Sequence, residues 1–357
     1  MFPQAENLAD GMATWGLIGP GNIGTELRRQ LGQDYVSNRL ALSRLPEFVL
    51  RSSGVFDAAG EELGVGAIEE FDELPDVTFV AMPSTDDGKA AYDYISHILD
   101  RGKIAITAEK GALANNFDDL RDRSDEFRRL GVNATDGGGT RLLDVAQMYA
   151  TDIGNISQVH LSLNGTLSAV MSMVAPPEGL GMSLGQAVDQ SIRLGYAEPG
   201  ATTPYEVIKQ EAEADIPKKT AIFFNRLALG ETSIDWTDLK FDLTNSQIAQ
   251  VVEEAKIRRF IVSIYANNHL ANGIKCPEDD IVGGFSTEHE DWKIVGGFRH
   301  VERNPLFAPL ANVTGPGAGL VIGLGPNESD GVYSLTGPGA GVSPTVNTMI
   351  DDYVARR

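Results

Sequence analysis

Cysteine is almost absent from this chain. Cys276 is the only one, so no intrachain disulfide and no thiolate metal cluster can form, which is compatible with a reducing compartment. Basic residues are also scarce: 29 lysines and arginines face 50 acids, a net charge of −21 that repels nucleic acid and anionic membranes. That excess reads first as a solubilising surface, with a cationic partner as the alternative. No uninterrupted apolar run reaches membrane-spanning length. The stretch Met1 to Gly11 lacks the basic and apolar regions of a secretion signal, so a cytoplasmic protein is expected. The histidines (His97, His160, His269, His289 and His300) are scattered without metal-ligand spacing, and no metal centre is expected.

What is present is an ordinary share of hydrophobic residues, 42%, over 357 residues, enough for two domains or one elaborate one. From Met12 to about Asp144, apolar runs alternate with amphipathic stretches. Strands are expected at Thr14–Ile18, Phe48–Leu50, Val77–Met82, Lys103–Thr107 and Val132–Thr135. Helices are expected at Asn22–Leu31, Asp87–Arg101 and Asn116–Leu130. Alternation of this kind implies a doubly wound parallel sheet.

Beyond Leu143 the order changes. Val159–Leu163, Arg259–Tyr265, Trp292–Phe298, Gly319–Leu324 and Val332–Leu335 read as strands between glycine, proline and asparagine turns. Ser183 and Gln186 form a capping box, and Pro204–Leu229 has a helical pattern that Pro217 should interrupt or restart. Ser246–Arg258 and Pro344–Arg357 read as further helices. The expected fold class is α/β, a Rossmann-type doubly wound sheet, plus an α+β domain with a largely antiparallel sheet. The expected division is residues 1–143 for a dinucleotide, 144–336 for substrate and dimerisation, and 337–357 returning to the first domain.

Gly19-Pro20-Gly21-Asn22-Ile23-Gly24 fits G-x-G-x-x-G between a strand and a helix. Gly19 permits the tight turn, Gly21 lets backbone approach a pyrophosphate, and Gly24 allows close helix–strand packing, with Asn22 and Ile23 at the helix start. A bare glycine turn is the alternative. At the end of the second strand the chain reads Leu50-Arg51-Ser52-Ser53, with no acid before Asp57. Arg51, with Ser52, suits a 2′-phosphate, so NADP is preferred over NAD. The alternative makes Arg51 a surface residue and leaves the ribose to Asp57 or a neighbour. Pro83 and Ser84, after the Val77–Met82 strand, are further candidate cofactor contacts.

Hydride transfer to a carbonyl leaves an alkoxide that must be protonated, and lysine is a ready acid. Lys110 follows the strand expected at Lys103–Thr107, where a nicotinamide should lie; position alone also fits a surface lysine. Asp215 and Lys219 share a helix face at i, i+4, as a surface ion pair or as proton donor and orienting carboxylate. The apolar run Thr220–Phe224 after Lys219 favours the second reading. Glu198 adds a carboxylate on a turn.

Together these segments resemble the homoserine dehydrogenases from about Ala13 to Val354. The nucleotide loop matches, and Ile106-Thr107-Ala108-Glu109-Lys110 resembles T-A-N-K, which carries a catalytic lysine. Asp136-Gly137-Gly138-Gly139 resembles the glycine turn, Asn164-Gly165-Thr166 the N-G-T loop, and Gly195-Tyr196-Ala197-Glu198-Pro199 the G-Y-A-E-P segment. Asp215-Ile216-Pro217-Lys218-Lys219 resembles D-x-x-x-K, and Gly337-Pro338-Gly339-Ala340-Gly341 the late G-x-G-A-G loop beside the nicotinamide.

The resemblance implies homoserine and aspartate 4-semialdehyde as the substrate pair, in the aspartate route to threonine and methionine. It implies that Lys219 and Lys110 handle the alcohol proton, and that Glu198, Asp215, Gly165 and Thr166 hold substrate. Gly339 joins the cofactor contacts, and the second sheet is expected to build a homodimer. The chain resembles the short form without a C-terminal regulatory domain.

Departures stand beside the matches. Glu109 replaces the asparagine before Lys110, residues 200–214 are extra, and Pro217 lies inside D-x-x-x-K. The family's monovalent-cation site uses a glutamate where Asn133 stands, leaving Asp136 or backbone carbonyls as the candidates for Na⁺ or K⁺. Two enzyme alternatives keep the fold: another amino or hydroxy acid as substrate, or a sugar-type oxidoreductase, whose E-K-P is echoed by Glu109-Lys110 but followed here by Gly111. A nucleotide-binding sensor is the non-enzyme alternative, and retention of Lys110, Lys219, Asp215 and Glu198 argues against it.

Overall fold

The computed structural model describes residues 11–151, 153–176, 178–197, 201–229, 232–271, 280–289, 291–325 and 331–357. They form two compact units. One runs from residue 11 to Thr135 and takes in Thr345–Arg357; the other is Asp136–Pro344.

In the first unit β1 (Trp15–Ile18) leads into α1 (Asn22–Leu31) and α2 (Asp34–Leu40). A hairpin follows, β2 (Phe48–Arg51) and β3 (Gly54–Phe56), then β4 (Val77–Val80) and α3 (Lys89–Asp100). Next come β5 (Ile104–Thr107), α4 (Gly111–Asn115), α5 (Phe117–Arg123) and the short β6 (Leu130–Gly131). The sheet order is β3-β2-β1-β4-β5-β6, parallel throughout except for the β2–β3 hairpin. β1 and β4 are buried on every residue, as a strand covered on both faces must be. Trp15 and Phe79 meet edge to face at 5.8 Å, and Val346, Met349 and Tyr353 of the last helix close the same core.

Two expectations here are corrected. The strand placed at Val132–Thr135 is at Leu130–Gly131, and Asn133–Thr135 is a 3₁₀ turn whose Asn133 is tied by its main-chain N–H and its side-chain amide to Asp352. The helix placed at Asn116–Leu130 stops at Arg123. Asp125, Glu126 and Phe127 are then left-handed, which the charge pattern alone could not signal.

The second unit begins with α6 (Leu142–Ala150), β7 (Ile156–Ser162), α7 (Gly165–Val174) and α8 (Leu184–Arg193). A long helix follows in three parts: α9 (Pro204–Lys209), a π-helical segment at Gln210–Asp215, and α10 (Ile216–Leu227). Pro217 does not break it. A proline lacks the N–H that would bond the carbonyl four residues back and crowds that carbonyl, and the wider π turn immediately before it absorbs both effects.

After α11 (Asn245–Glu253) come β8 (Arg258–Ala266), α12 (Asn267–Ala271), β9 (Val282–His289) and β10 (Trp292–His300). The unit ends with α13 (Ala308–Ala311), β11 (Gly317–Leu324) and β12 (Val332–Pro338), ahead of α14 (Val342–Val354). The sheet order is β12-β11-β7-β8-β10-β9, every pair antiparallel. The strand β9 and the helices α6 and α7 were not foreseen in the sequence.

Candidate functional site

In the first unit, the loops after β1, β4 and β5 lie at the carboxyl ends of adjacent parallel strands, the usual ligand position in such sheets. Gly19 has φ +86°, and a Cβ on it would sit 2.7 Å from the Ala81 backbone. A Cβ on Gly24 would lie 2.3 Å from the Gly19 oxygen. A Cβ on Gly21 would meet nothing within 4 Å, and no side chain caps α1 there. The first and third glycines are therefore required by packing within the unit, whereas the second fronts open space beside the bare N–H groups of Asn22 and Ile23. That arrangement fits a pyrophosphate.

Arg51 closes β2, opposite Gly54, and its guanidinium lies 4.7 Å from the Phe56 ring centre. Ser52 is exposed in the adjoining turn. Asp57 accepts three N–H bonds on one oxygen, each 2.8 Å, from Ala59, Gly60 and Glu61, so it closes its own loop. Pro83 is exposed after β4, and Ser84 Oγ accepts the Lys110 N–H at 3.2 Å.

In the second unit, five segments singled out in the sequence pack on one another. Asn164 caps α7, its Oδ1 accepting the Leu167 N–H at 2.7 Å. Its Nδ2 donates to Glu211 Oε2 at 2.5 Å and to Asp215 Oδ2 at 2.8 Å. Lys219 Nζ lies 2.7 Å from Asp215 Oδ2 and donates to the Leu163 carbonyl at 3.1 Å. Lys219 is only 8% exposed, which removes it from the class of surface ion pairs. Two of its three ammonium hydrogens are directed by these partners.

Thr166 Oγ1 donates to the Tyr196 carbonyl at 2.6 Å, joining the N-G-T loop to the G-Y-A-E-P segment. Glu198 itself lies outside the described residues. A Cβ on Gly165 would meet Ala340 and Gly339 at 2.8 Å, and one on Gly138 would meet the Gly339 oxygen at 3.0 Å. The three glycine loops of this unit are thus in backbone contact. Gly339 N donates to the Pro316 carbonyl at 2.7 Å.

Glu211 was missed in the sequence. Glu211, Asp215 and Lys219 recur every four residues, a spacing that lines up one helix stripe and would have pointed to it. Asn133, at the position of the family's cation ligand, uses its amide as a donor to Asp352 at 2.6 Å. Among the described residues, no group of three or more histidine, cysteine, aspartate or glutamate side chains could hold a metal ion. No helix among them is long and apolar enough to cross a membrane.

A dinucleotide-type parallel sheet joined to an antiparallel six-stranded sheet with helices is the fold of the homoserine dehydrogenases. The enzyme from Thermoplasma acidophilum superposes with a TM-score of 0.65 at 18% identity, over 96% of this chain and 98% of that one. A putative homoserine dehydrogenase from Archaeoglobus fulgidus gives 0.64 at 18%, over 96% and 99%. A hyperthermophilic archaeal homoserine dehydrogenase in complex with NADPH gives 0.61 at 18%, over 96% of each chain. No protein-family model matches the sequence, and no curated protein matches it.

Proposed function

We propose that the chain is an NADP-preferring dehydrogenase that interconverts homoserine and aspartate 4-semialdehyde. The observation that carries this reading is the partly buried Asn164–Glu211–Asp215–Lys219 network, set among glycine loops that touch backbone to backbone. Three structural neighbours are homoserine dehydrogenases, or a putative one, and one of them is an NADPH complex, which supports the same choice.

Gly19, Gly21, Asn22, Ile23 and Gly24 would hold the pyrophosphate, and Pro83, Ser84 and Lys110 would line the way to the nicotinamide. Arg51 and Ser52 would take the 2′-phosphate, since Asp57 is engaged in its own loop. The late-loop Gly339 is the remaining candidate contact. The cofactor supplies hydride exchange when bound.

The protein's share is acid–base work and orientation. Lys219 takes the hydroxyl proton as the neutral amine in oxidation and returns it as the ammonium in reduction, oriented by Asp215 and the Leu163 carbonyl. Glu211, Asp215 and Glu198 are carboxylates suited to a substrate ammonium, and Asn164 holds the first two in place. Gly165 and Thr166 shape the loop over the substrate, and Lys110 serves at the end of β5. A homodimer through the second sheet and a cytoplasmic setting complete the proposal.

A second reading keeps the chemistry and changes the substrate, because Glu211 of the network lies within the extra residues 200–214. One experiment separates the two. The purified chain is mixed with NADP⁺ or NAD⁺ and a panel led by homoserine, and reduced nicotinamide is followed by absorbance. Turnover with homoserine and NADP⁺ supports the proposal; turnover only with another amino or hydroxy acid selects the second reading; turnover with none refutes both.

A further inference from the structure

Glu109 stands where the resembled family has asparagine, and it is 1% exposed. Its two carboxylate oxygens accept separate main-chain donors: Oε1 takes the Gly111 N–H and Oε2 the Ala112 N–H, each at 2.7 Å. Its own N–H donates to Thr107 Oγ1 at 3.0 Å. The carboxylate therefore bridges across Lys110 and ties the residue before it to the two residues after it.

The far side of the same turn is equally constrained. Lys110 N–H donates to Ser84 Oγ at 3.2 Å. A Cβ on Gly111 would lie 2.2 Å from the Thr85 oxygen, and one on Gly88 would lie 2.0 Å from Gly111 C and Ala112 N. Backbone is pressed on backbone, so the Lys110 main chain has little room to shift. Charge-assisted bonds are roughly twice as strong as neutral ones, and a carboxylate can serve two donors on two oxygens. Asparagine, one methylene shorter and with a single acceptor oxygen, cannot make this bridge.

We propose that Glu109 is a positioning residue: its buried carboxylate fixes the turn from which Lys110 presents its ammonium. The inference rests on the reading of Lys110 as a catalytic lysine. Glu109→Gln is the test, because it keeps size and one acceptor oxygen but sets an NH₂ against an N–H donor. The expected result is a fall in kcat of about tenfold, the size of one lost charge-assisted bond. Substrate KM and the NADPH Kd, read by nicotinamide fluorescence, should stay within about twofold. Hydrogen exchange at the Gly111 and Ala112 amides should quicken by at least about tenfold. In a Lys110→Ala background the same change should cost nothing further, because Glu109 acts through Lys110.

An undiminished kcat, unchanged amide exchange, or an equal loss with and without Lys110 would overturn the proposal. If Glu109→Gln does not fold, Glu109→Asp serves instead, keeping the charge but failing to reach both amides. The two layers fail differently. Normal turnover by Lys110→Ala overturns the catalytic reading of that lysine, whereas a slow Lys110→Ala combined with an additive Glu109→Gln overturns only the positioning role.

Discussion

The two units prepare their loops with different shares of backbone and side chain. The first relies mainly on backbone, with Glu109 as its charged exception: Gly19 against Ala81, Gly24 against Gly19, and Gly88 against Gly111 are contacts that no other residue permits. The second adds charged side chains, with one asparagine amide serving two carboxylates and a buried lysine completing the set. A loop made of backbone suits a constant ligand fragment such as a pyrophosphate, because it offers N–H groups and partial charge rather than discrimination. A side-chain network can be retuned residue by residue, as the π-borne Glu211 illustrates, and suits a variable substrate.

The contrast can be broken from either side. The largest effect is expected in the backbone-built unit: Gly88→Val puts a branched side chain at φ +58° into the Gly111–Ala112 backbone. It should cost roughly 3 kcal/mol or more, read as the shift in urea midpoint. A loss under about 1 kcal/mol would show that the contact is softer than its geometry.

Next comes the second unit's interior. His160 is fully buried, and burial together with the Arg299 charge pushes its pKa down from 6.5 to about 3. The folded chain refuses a proton that the unfolded chain accepts below pH 6.5. Stability must therefore fall as pH drops from 6.5 towards 3, by about 2 kcal/mol at pH 5, and level off below 3. His160→Gln should flatten that part of the pH–stability curve; an unchanged slope would assign the acid sensitivity elsewhere.

The smallest effect concerns cofactor choice. Arg51→Glu should weaken NADP by about tenfold or more while leaving NAD within about twofold, in titrations of each. Parallel losses for both cofactors would make Arg51 a packing partner of Phe56 and nothing else.

How much of this was legible follows the same division. The nucleotide loop could be read from residue spacing, because Gly19 and Gly24 answer local steric demands and Gly21 keeps the helix start open. Asp215 and Lys219 could be read because four residues make one helical turn. Glu211 continues the four-residue spacing of Asp215 and Lys219, but Pro217 suggested that a new helix began between them and the stripe was not followed back. The strand β9 was hidden because Val282-Gly283-Gly284 reads as a turn, yet Gly284 lies within 2.0 Å of the Gly296 oxygen when given a Cβ, a close strand pairing that only glycine allows. The end of α5 was hidden because three consecutive left-handed residues, none of them glycine, carry no local signature. Glu109 was noticed as a departure, but its bridge across Lys110 depends on main-chain donors that composition does not display.

The account turns on Lys219 as the group that moves the proton. The decisive measurement is the steady-state rate of homoserine oxidation by Lys219→Ala beside the unaltered protein, with NADPH affinity measured on both. The expected result is a kcat at least about a hundredfold lower with cofactor binding retained; near-normal turnover in the variant would contradict it.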